Sequence, residues 1–271
     1  MKPYHLLLSL LLALVLIAGA RAQESNGVDL PAKENLHLFL LIGQSNMAGR
    51  GKVSDQDRQP HRRVLMLNQD GQWVPAVDPL HFDKPTIVGV GPGRTFGIEV
   101  AEAMPNITVG LIPCAVGGSA IAGWEPGGFD APTKTHPYDD MLVRAKKALE
   151  AGTLKGILWH QGESDASDEK SAVYEEKLHA LVKRLREEFN APHVPFIAGQ
   201  LGQFPERPWN EAKKRVDQVH RELPHKLPNT AFVSAEGLTH KGDQVHFDAA
   251  SAKELGRRYA EAYLKMVNTT R

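Results

Sequence analysis

The stretch LHLFLLIGQSNMAGRG, residues 36–51, passes from an unbroken apolar run into a polar segment bounded by glycines. A run that does not alternate suits a parallel strand covered on both faces, because its side chains meet apolar neighbours whichever way they point. Working outward, ITVGLI (107–112), KGILWH (155–160), PFIAGQ (195–200) and TAFVS (230–234) repeat the pattern. Helical stripes lie between and after them. Tyr174, Leu178, Leu181, Val182, Leu185 and Phe189 fall three or four apart beneath a charged face, as do Met141, Leu142, Ala145, Ala148 and Leu149, and Ala252, Leu255, Tyr259, Ala262 and Met266. This alternation predicts a three-layer α/β/α sandwich around a mostly parallel, about five-stranded central sheet. Segments 50–94 and 113–138, rich in Gly, Pro, Asp and His, read as long loops over one end of that sheet.

The amino terminus carries Lys2, then the apolar run LLLSLLLALVLIAGA, then Ala-Arg-Ala at 20–22, which is the pattern of a cleavable export signal with the mature chain starting at Gln23. No later stretch reaches the roughly 18 to 20 apolar residues that span a bilayer. The expectation is a signal at 1–22, one domain over 23–271, and a secreted or periplasmic protein without further membrane contact. The 32 basic and 32 acidic side chains cancel, leaving no positive field to gather nucleic acid. Cys114 is the only cysteine, so no internal disulfide can form, and it reads as a small buried apolar residue.

In an open parallel sheet, ligands sit at the carboxyl ends of the strands. Four polar clusters follow strands here: GQSNMAGRG (43–51), PCAVGGSAIAGW (113–124), HQGESD (160–165) and HKGDQVHFD (240–248). Ser45 stands where a strand gives way to a helix, as a helix cap or as an exposed nucleophile. A hydroxyl needs a base, and Asp243 three residues before His246 can orient an imidazole through Nδ1 while Nε2 faces Ser45. Candidate oxyanion donors are the Ser45 N–H, a backbone N–H of Gly117 or Gly118, and the side-chain amide of Gln161. Glu163 could support the site or compete with Asp243 as the histidine's acid. Trp124 could stack on a sugar face or pack beneath a loop, and Ser119 reads as structural or substrate-facing.

Ser45 in GQSNM and Ser119 in GGSAI both lack the GxSxG pattern of a lipase-type nucleophile elbow. His240, Asp243 and His246 have ligand-like spacing, but no further ligand cluster accompanies them, and neither a metal nor a cofactor is expected. Gly91 and Gly93 lack the Lys-Ser/Thr ending of a phosphate loop and are expected to shape a turn before a helix at 96–104.

Taken together, GQSNMAGRG, GPGRTFG (91–97), VGGS (116–119), WHQGESD (159–165) and DQVHFD (243–248) resemble the SGNH hydrolase superfamily, in the branch of carbohydrate esterase family six and the sialate O-acetylesterase-like proteins. The match runs from residue 36 to about 263. The resemblance implies a flavodoxin-like SGNH fold and a serine carbohydrate esterase, similar to acetylxylan esterases, that removes O-acetyl groups from a saccharide. It implies Ser45 as nucleophile, His246 as base with Asp243 orienting it, and Gly117 or Gly118 in the oxyanion hole. Gln161 joins them where the wider superfamily has Asn. Acetylated xylan or a related plant polysaccharide is the first substrate expectation and O-acetylated sialic acid the second. A noncatalytic carbohydrate-binding protein on the same scaffold is the alternative.

Overall fold

The apolar run at 36–42 forms the central strand, β1 (Leu36–Gly43). Period-two alternation sends Leu36, Leu38, Leu40 and Ile42 into one core and Phe39 and Leu41 into the other. The protein is described by a computed structural model covering residues 28–269. The expected export signal at 1–22 lies outside the described residues.

The sheet has seven strands in the order β3 (Trp73–Pro75), β2 (Val64–Leu67), β4 (Thr108–Pro113), β1, β5 (Thr153–His160), β6 (Phe196–Gly199), β7 (Thr230–Val233). Only the β2–β3 pair is antiparallel. On one face, α3 (Pro137–Ala151), α5 (Tyr174–Glu188) and α6 (Glu211–Lys226) bury Met141, Leu178, Leu181 and Val216 against it. On the other, α2 (Pro92–Ala103) and α7 (Ala249–Thr269) bury Phe96, Leu255, Tyr259 and Tyr263. Phe39 meets the rings of Phe96 and Tyr263 edge to face, each at 4.9 Å between centroids, joining β1 to both helices of that layer.

The three-layer α/β/α architecture is the one the apolar runs predict, and those runs are β1, β4, β5, β6 and β7. The sheet gains β2 and β3 from a segment expected to be loop. Their apolar runs are too short to separate from loop by pattern, and β3 exists because β2 offers it a hydrogen-bonding edge. Helix α2 starts at Pro92 rather than 96, because proline fits the first helical position and Gly91 supplies the cap. The helical stripe through Tyr174 is preceded by a separate short helix, α4 (Asp168–Ala172), capped by Ser167. Cys114 is buried, and burial pushes its thiol up to about 11.

The chain leaves β1 toward β2, β3 and β4 on one side and then crosses to β5, β6 and β7 on the other. That reversal makes the carboxyl end of β1 the topological switch point, where two connections diverge and leave a crevice. Ser45 stands at its mouth.

Candidate active site

β1 ends at Gly43, whose φ of 126° is left-handed and whose Cβ, if it had one, would run into the His160 carbonyl. The close approach lets β1 turn directly through Gln44 into the short helix α1 (Ser45–Ala48). Ser45 is its first residue, with its N–H at the orphan end of the helix.

The base arrives on a loop just before α7. A bridge between His240 and Phe247, with Lys241 N–H donating to the His246 carbonyl at 2.9 Å, folds this segment into a tight strap. His246 Nε2 lies 3.0 Å from Ser45 Oγ, and its Nδ1 lies 2.7 Å from Asp243 Oδ2. A carboxylate accepts only, so Nδ1 carries the proton and Nε2 is the acceptor facing the serine hydroxyl. Asp243 Oδ1 accepts the backbone N–H of Val245 at 3.0 Å and of His246 at 2.9 Å. Partial burial would raise this carboxyl, but those backbone bonds and the imidazole outweigh it and hold the group well below the usual carboxylate range.

Glu163 does not touch the imidazole. Its Oε1 accepts from Asn46 Nδ2 at 2.7 Å, while its Oε2 is buried without a partner among the described residues. Asn46 Nδ2 also donates to the Val245 carbonyl at 3.2 Å, and its Oδ1 accepts the Phe247 N–H at 3.1 Å. One side chain beside Ser45 therefore grips the backbone on both sides of His246. Of the two carboxylates left open by the sequence, Asp243 is the one paired with His246.

Two expected site residues are placed away from the cavity, and a third, Gly117, lines it with its N–H already taken. Gln161 is fully buried, its Nε2 shared among Gln44 Oε1 at 3.2 Å, the Ser119 carbonyl at 3.0 Å and Asp165 Oδ2 at 2.5 Å. Its amide supports the loop behind the site and does not reach the cavity. The Gly117 N–H donates to Asp83 Oδ2 at 2.8 Å, the same oxygen that pairs with Arg50 at 2.7 Å, so it is committed. Trp124 is fully buried, edge to face with Trp159 at 5.5 Å, its Nε1 donating to Ser119 Oγ at 3.1 Å. Neither Trp124 nor Ser119 can meet a substrate from there.

What remains is consistent with an oxyanion site of two backbone donors. Ser45 and Gly118 both line the cavity, and their N–H groups have no acceptor among the described residues. Gly118 has φ of 88°, and a Cβ there would meet nothing closer than Lys84 Nζ at 3.8 Å. His240 Nδ1 accepts the backbone N–H groups of Gly242 and Gln244, and its Nε2 faces Glu206 at 3.6 Å.

The cavity above Ser45 encloses ≈ 530 Å³, within the range of small-molecule sites. Beyond the expected residues it is walled by Lys84 and Ile87 and by Arg207, Pro208, Trp209, Asn210 and Lys213. The last five come from the loop after β6 and the start of α6. Sequence reasoning missed them, although QFPERPWN (203–210) also follows the carboxyl end of a strand, the criterion that singled out the other four clusters. Burial lowers the Lys213 ammonium below the usual lysine value, opposed by the charge of Glu163.

Comparison with known proteins gives this geometry a context. The sequence model of the family described as carbohydrate esterase, sialic acid-specific acetylesterase, matches residues 35–265. The probable carbohydrate esterase At4g34215 of Arabidopsis thaliana is 34% identical over 248 residues, covering 84% of this chain and 90% of that protein. The X-ray structure of the Arabidopsis protein superposes with a TM-score of 0.75 at 33% identity, over 86% of this chain and 98% of that one. NanS superposes with a TM-score of 0.69 at 19% identity, over 88% and 100% of the two chains. A carbohydrate acetylesterase from Xanthomonas citri gives 0.64 at 22% identity, over 83% of this chain and 55% of that one. At the last two identities the likeness is one of fold.

Proposed function

The chain belongs to the sialic acid-specific acetylesterase family of carbohydrate esterases, and from that premise we propose that it is an exported serine esterase acting on O-acetylated saccharide through Ser45, His246 and Asp243. The observation that carries this reading is the relay of 3.0 Å from Ser45 Oγ to His246 Nε2 and 2.7 Å from His246 Nδ1 to Asp243, opening into a cavity where two backbone N–H groups have no acceptor among the described residues.

In the proposed reaction, Ser45 Oγ attacks the acetyl carbonyl carbon as His246 Nε2 takes its proton. Charge developing on the carbonyl oxygen is met by the N–H groups of Ser45 and Gly118. The tetrahedral intermediate collapses, His246 returns the proton to the departing sugar oxygen, and acetate stays esterified to Ser45. Water then repeats the sequence, with His246 again as base, and acetate leaves. Asp243 keeps the imidazole in the working tautomer and stabilises its charged form. No cofactor enters these steps.

Residues 1–22 act in this reading as the export signal and 23–271 as one esterase domain. Acetylated xylan or a related plant polysaccharide is the first substrate. A second reading, O-acetylated sialic acid, is favoured by the charge of the wall: Lys84, Arg207 and Lys213 line the cavity, with Glu163 the only carboxylate bordering it among the described residues, a setting for a carboxylated sugar.

The test is acetate release from acetylated xylan and from O-acetylated sialic acid by the mature protein, with Ser45→Ala and a chelator as controls. Release that survives chelation and disappears in Ser45→Ala is expected. A folded protein that binds saccharide but releases no acetate would make it a binding protein on an esterase scaffold, and loss of release only on chelation would remove Ser45 from the mechanism.

A further inference from the structure

Two consecutive glycines have the widest choice of φ and ψ, so the direction of the Gly118 N–H is set by what holds its neighbours. On one side the Gly117 N–H donates to Asp83 Oδ2 at 2.8 Å, and on the other Ser164 Oγ donates to the Gly118 carbonyl at 2.8 Å. Asp83 is itself fixed. The same Oδ2 accepts from Arg50 Nη2 at 2.7 Å, and Arg50 Nη1 donates to the Gly49 carbonyl at 2.7 Å. Gly49 closes α1, its N–H donating to the Ser45 carbonyl at 2.9 Å.

These bonds form a continuous brace from Ser45 through Gly49, Arg50 and Asp83 to Gly117. It ties together the two segments that carry the backbone donors proposed for the oxyanion, the N–H groups of Ser45 and Gly118. The fit is close: a Cβ on Gly117 would stand 2.2 Å from Arg50 Nη2 and 2.6 Å from Asp83 Oδ2, so the pair can sit there only against a glycine. Both side chains are buried, at 3% and 2% exposure. A buried ion pair is weak evidence for stability, because taking two charges out of water offsets their attraction. Directed, charge-assisted hydrogen bonds are what an apolar pair of the same volume could not supply.

We propose that Arg50 and Asp83 are positioning residues for the reaction: acting through the backbone, they set the separation between the N–H groups of Ser45 and Gly118 and with it the fit of the oxyanion. The inference rests on the esterase reading above. Displacement of one such donor by about 1 Å is enough to cost about a hundredfold in rate.

The experiment compares the protein with a double variant, Arg50→Met with Asp83→Leu, which puts apolar side chains of similar volume in place of the pair and leaves no charge buried alone. Kinetics on p-nitrophenyl acetate are read together with inhibition by methylboronic acid, whose adduct with Ser45 places an oxygen where the oxyanion forms. In the double variant kcat is expected to fall about 100-fold with KM within about threefold. The inhibition constant of the boronic acid is expected to rise at least about tenfold, with the urea midpoint little changed. Asp83→Asn, whose amide oxygen still accepts the Gly117 N–H, is expected to keep kcat within about tenfold of the original. Should circular dichroism show that the double variant has not folded, Gly117→Ala decides, with the same losses expected: residue 117 has no positive φ to strain, and its Cβ would displace the pair. An unchanged kcat, an unchanged inhibition constant, or a loss carried by KM, as from direct contact of Arg50 with the substrate, overturns the inference while the esterase reading stands. So does an Asp83→Asn protein that loses as much as the double variant. Absence of Ser45-dependent hydrolysis in the unvaried protein overturns both.

Discussion

The Asn46 side chain makes three hydrogen bonds beside a serine hydroxyl that makes one, and the separation of Ser45 from His246 depends on them. Its amide ties α1 to the Val245 carbonyl and the Phe247 N–H, with Glu163 fixing which way the amide faces. Loss of that grip frees the strap to shift the imidazole, and misplacement of a catalytic group by about 1 Å can cost about a hundredfold. Asn46→Ala is therefore expected to lower kcat by about 10- to 100-fold with KM nearly unchanged, and Glu163→Gln to lower it less, both read from steady-state kinetics on an acetyl ester. Ser45→Ala and His246→Ala are each expected to lower kcat by at least about a thousandfold, and the double variant by little more than either alone, because the pair acts as a unit. Ser45, Asp243 and His246 were legible in the sequence because chemistry restricts the residue types and the DxxH spacing is local. Gln161 was misread, and Trp124 was left between stacking on a sugar and packing beneath a loop, because which way a side chain points after a strand is settled by neighbours distant in sequence: Gln44 and Ser119 hold one, Trp159 packs against the other.

The sequence shows where strands end, and it is at those ends that the elements converge. β1 turns into α1 within two residues only because Gly43 tolerates φ of 126° and close contact with the His160 carbonyl of β5. Gly43→Ala is expected to destabilise the fold by about 1 to 3 kcal/mol from the backbone conformation alone, measured as a lower urea midpoint, with further loss from the contact. Five strands were readable as apolar runs, since both faces of the sheet are covered. β2 and β3 were not, because strands of four and three residues take their conformation from an available edge rather than from a pattern. α6 was passed over for a different reason. Its sequence is strongly polar, and the buried Val216, Val219, His220 and Leu223 form a narrow stripe under a charged surface. The loop that precedes it, with Arg207 and Trp209, went unread along with it.

Buried ionisable groups make the stability of the fold depend on pH. Burial lowers His81 to about 4 and His220 to about 3, and raises Asp78 to about 7. An unfolded histidine titrates near 6.5, so below that pH the unfolded chain gains protons that the folded His81 and His220 refuse, and stability falls as pH drops toward 4. Asp78 works the other way over the same interval, since the folded chain keeps a proton there that the unfolded chain releases above about 4. Burial also lowers His37 and His160, in the sense of His81 and His220, and raises Asp165 and Asp217, in the sense of Asp78, so the histidines drive and the carboxyls oppose a loss of stability as pH drops from about 6.5 to 4. Urea midpoints measured at intervals across that range are expected to fall as pH drops, and His81→Gln is expected to make the fall shallower. A slope of the opposite sign would mean that the buried carboxyls outweigh the histidines.

The amino-acid sequence was enough to determine the layered parallel fold, the strand ends where the polar clusters gather, and the serine and histidine that meet there. These follow from local rules: side-chain periodicity, the polarity of what comes after an apolar run, and the few residue types able to carry a proton. Which glycine N–H stays free, which tryptophan faces the cavity and which carboxylate holds the imidazole were decided only by the tertiary structure. Each depends on a competition for hydrogen-bond partners, Asp83 taking Gly117, Asn46 taking Glu163 and Ser119 taking Trp124. The winner is set by distances between segments as much as 117 residues apart, which no local pattern records.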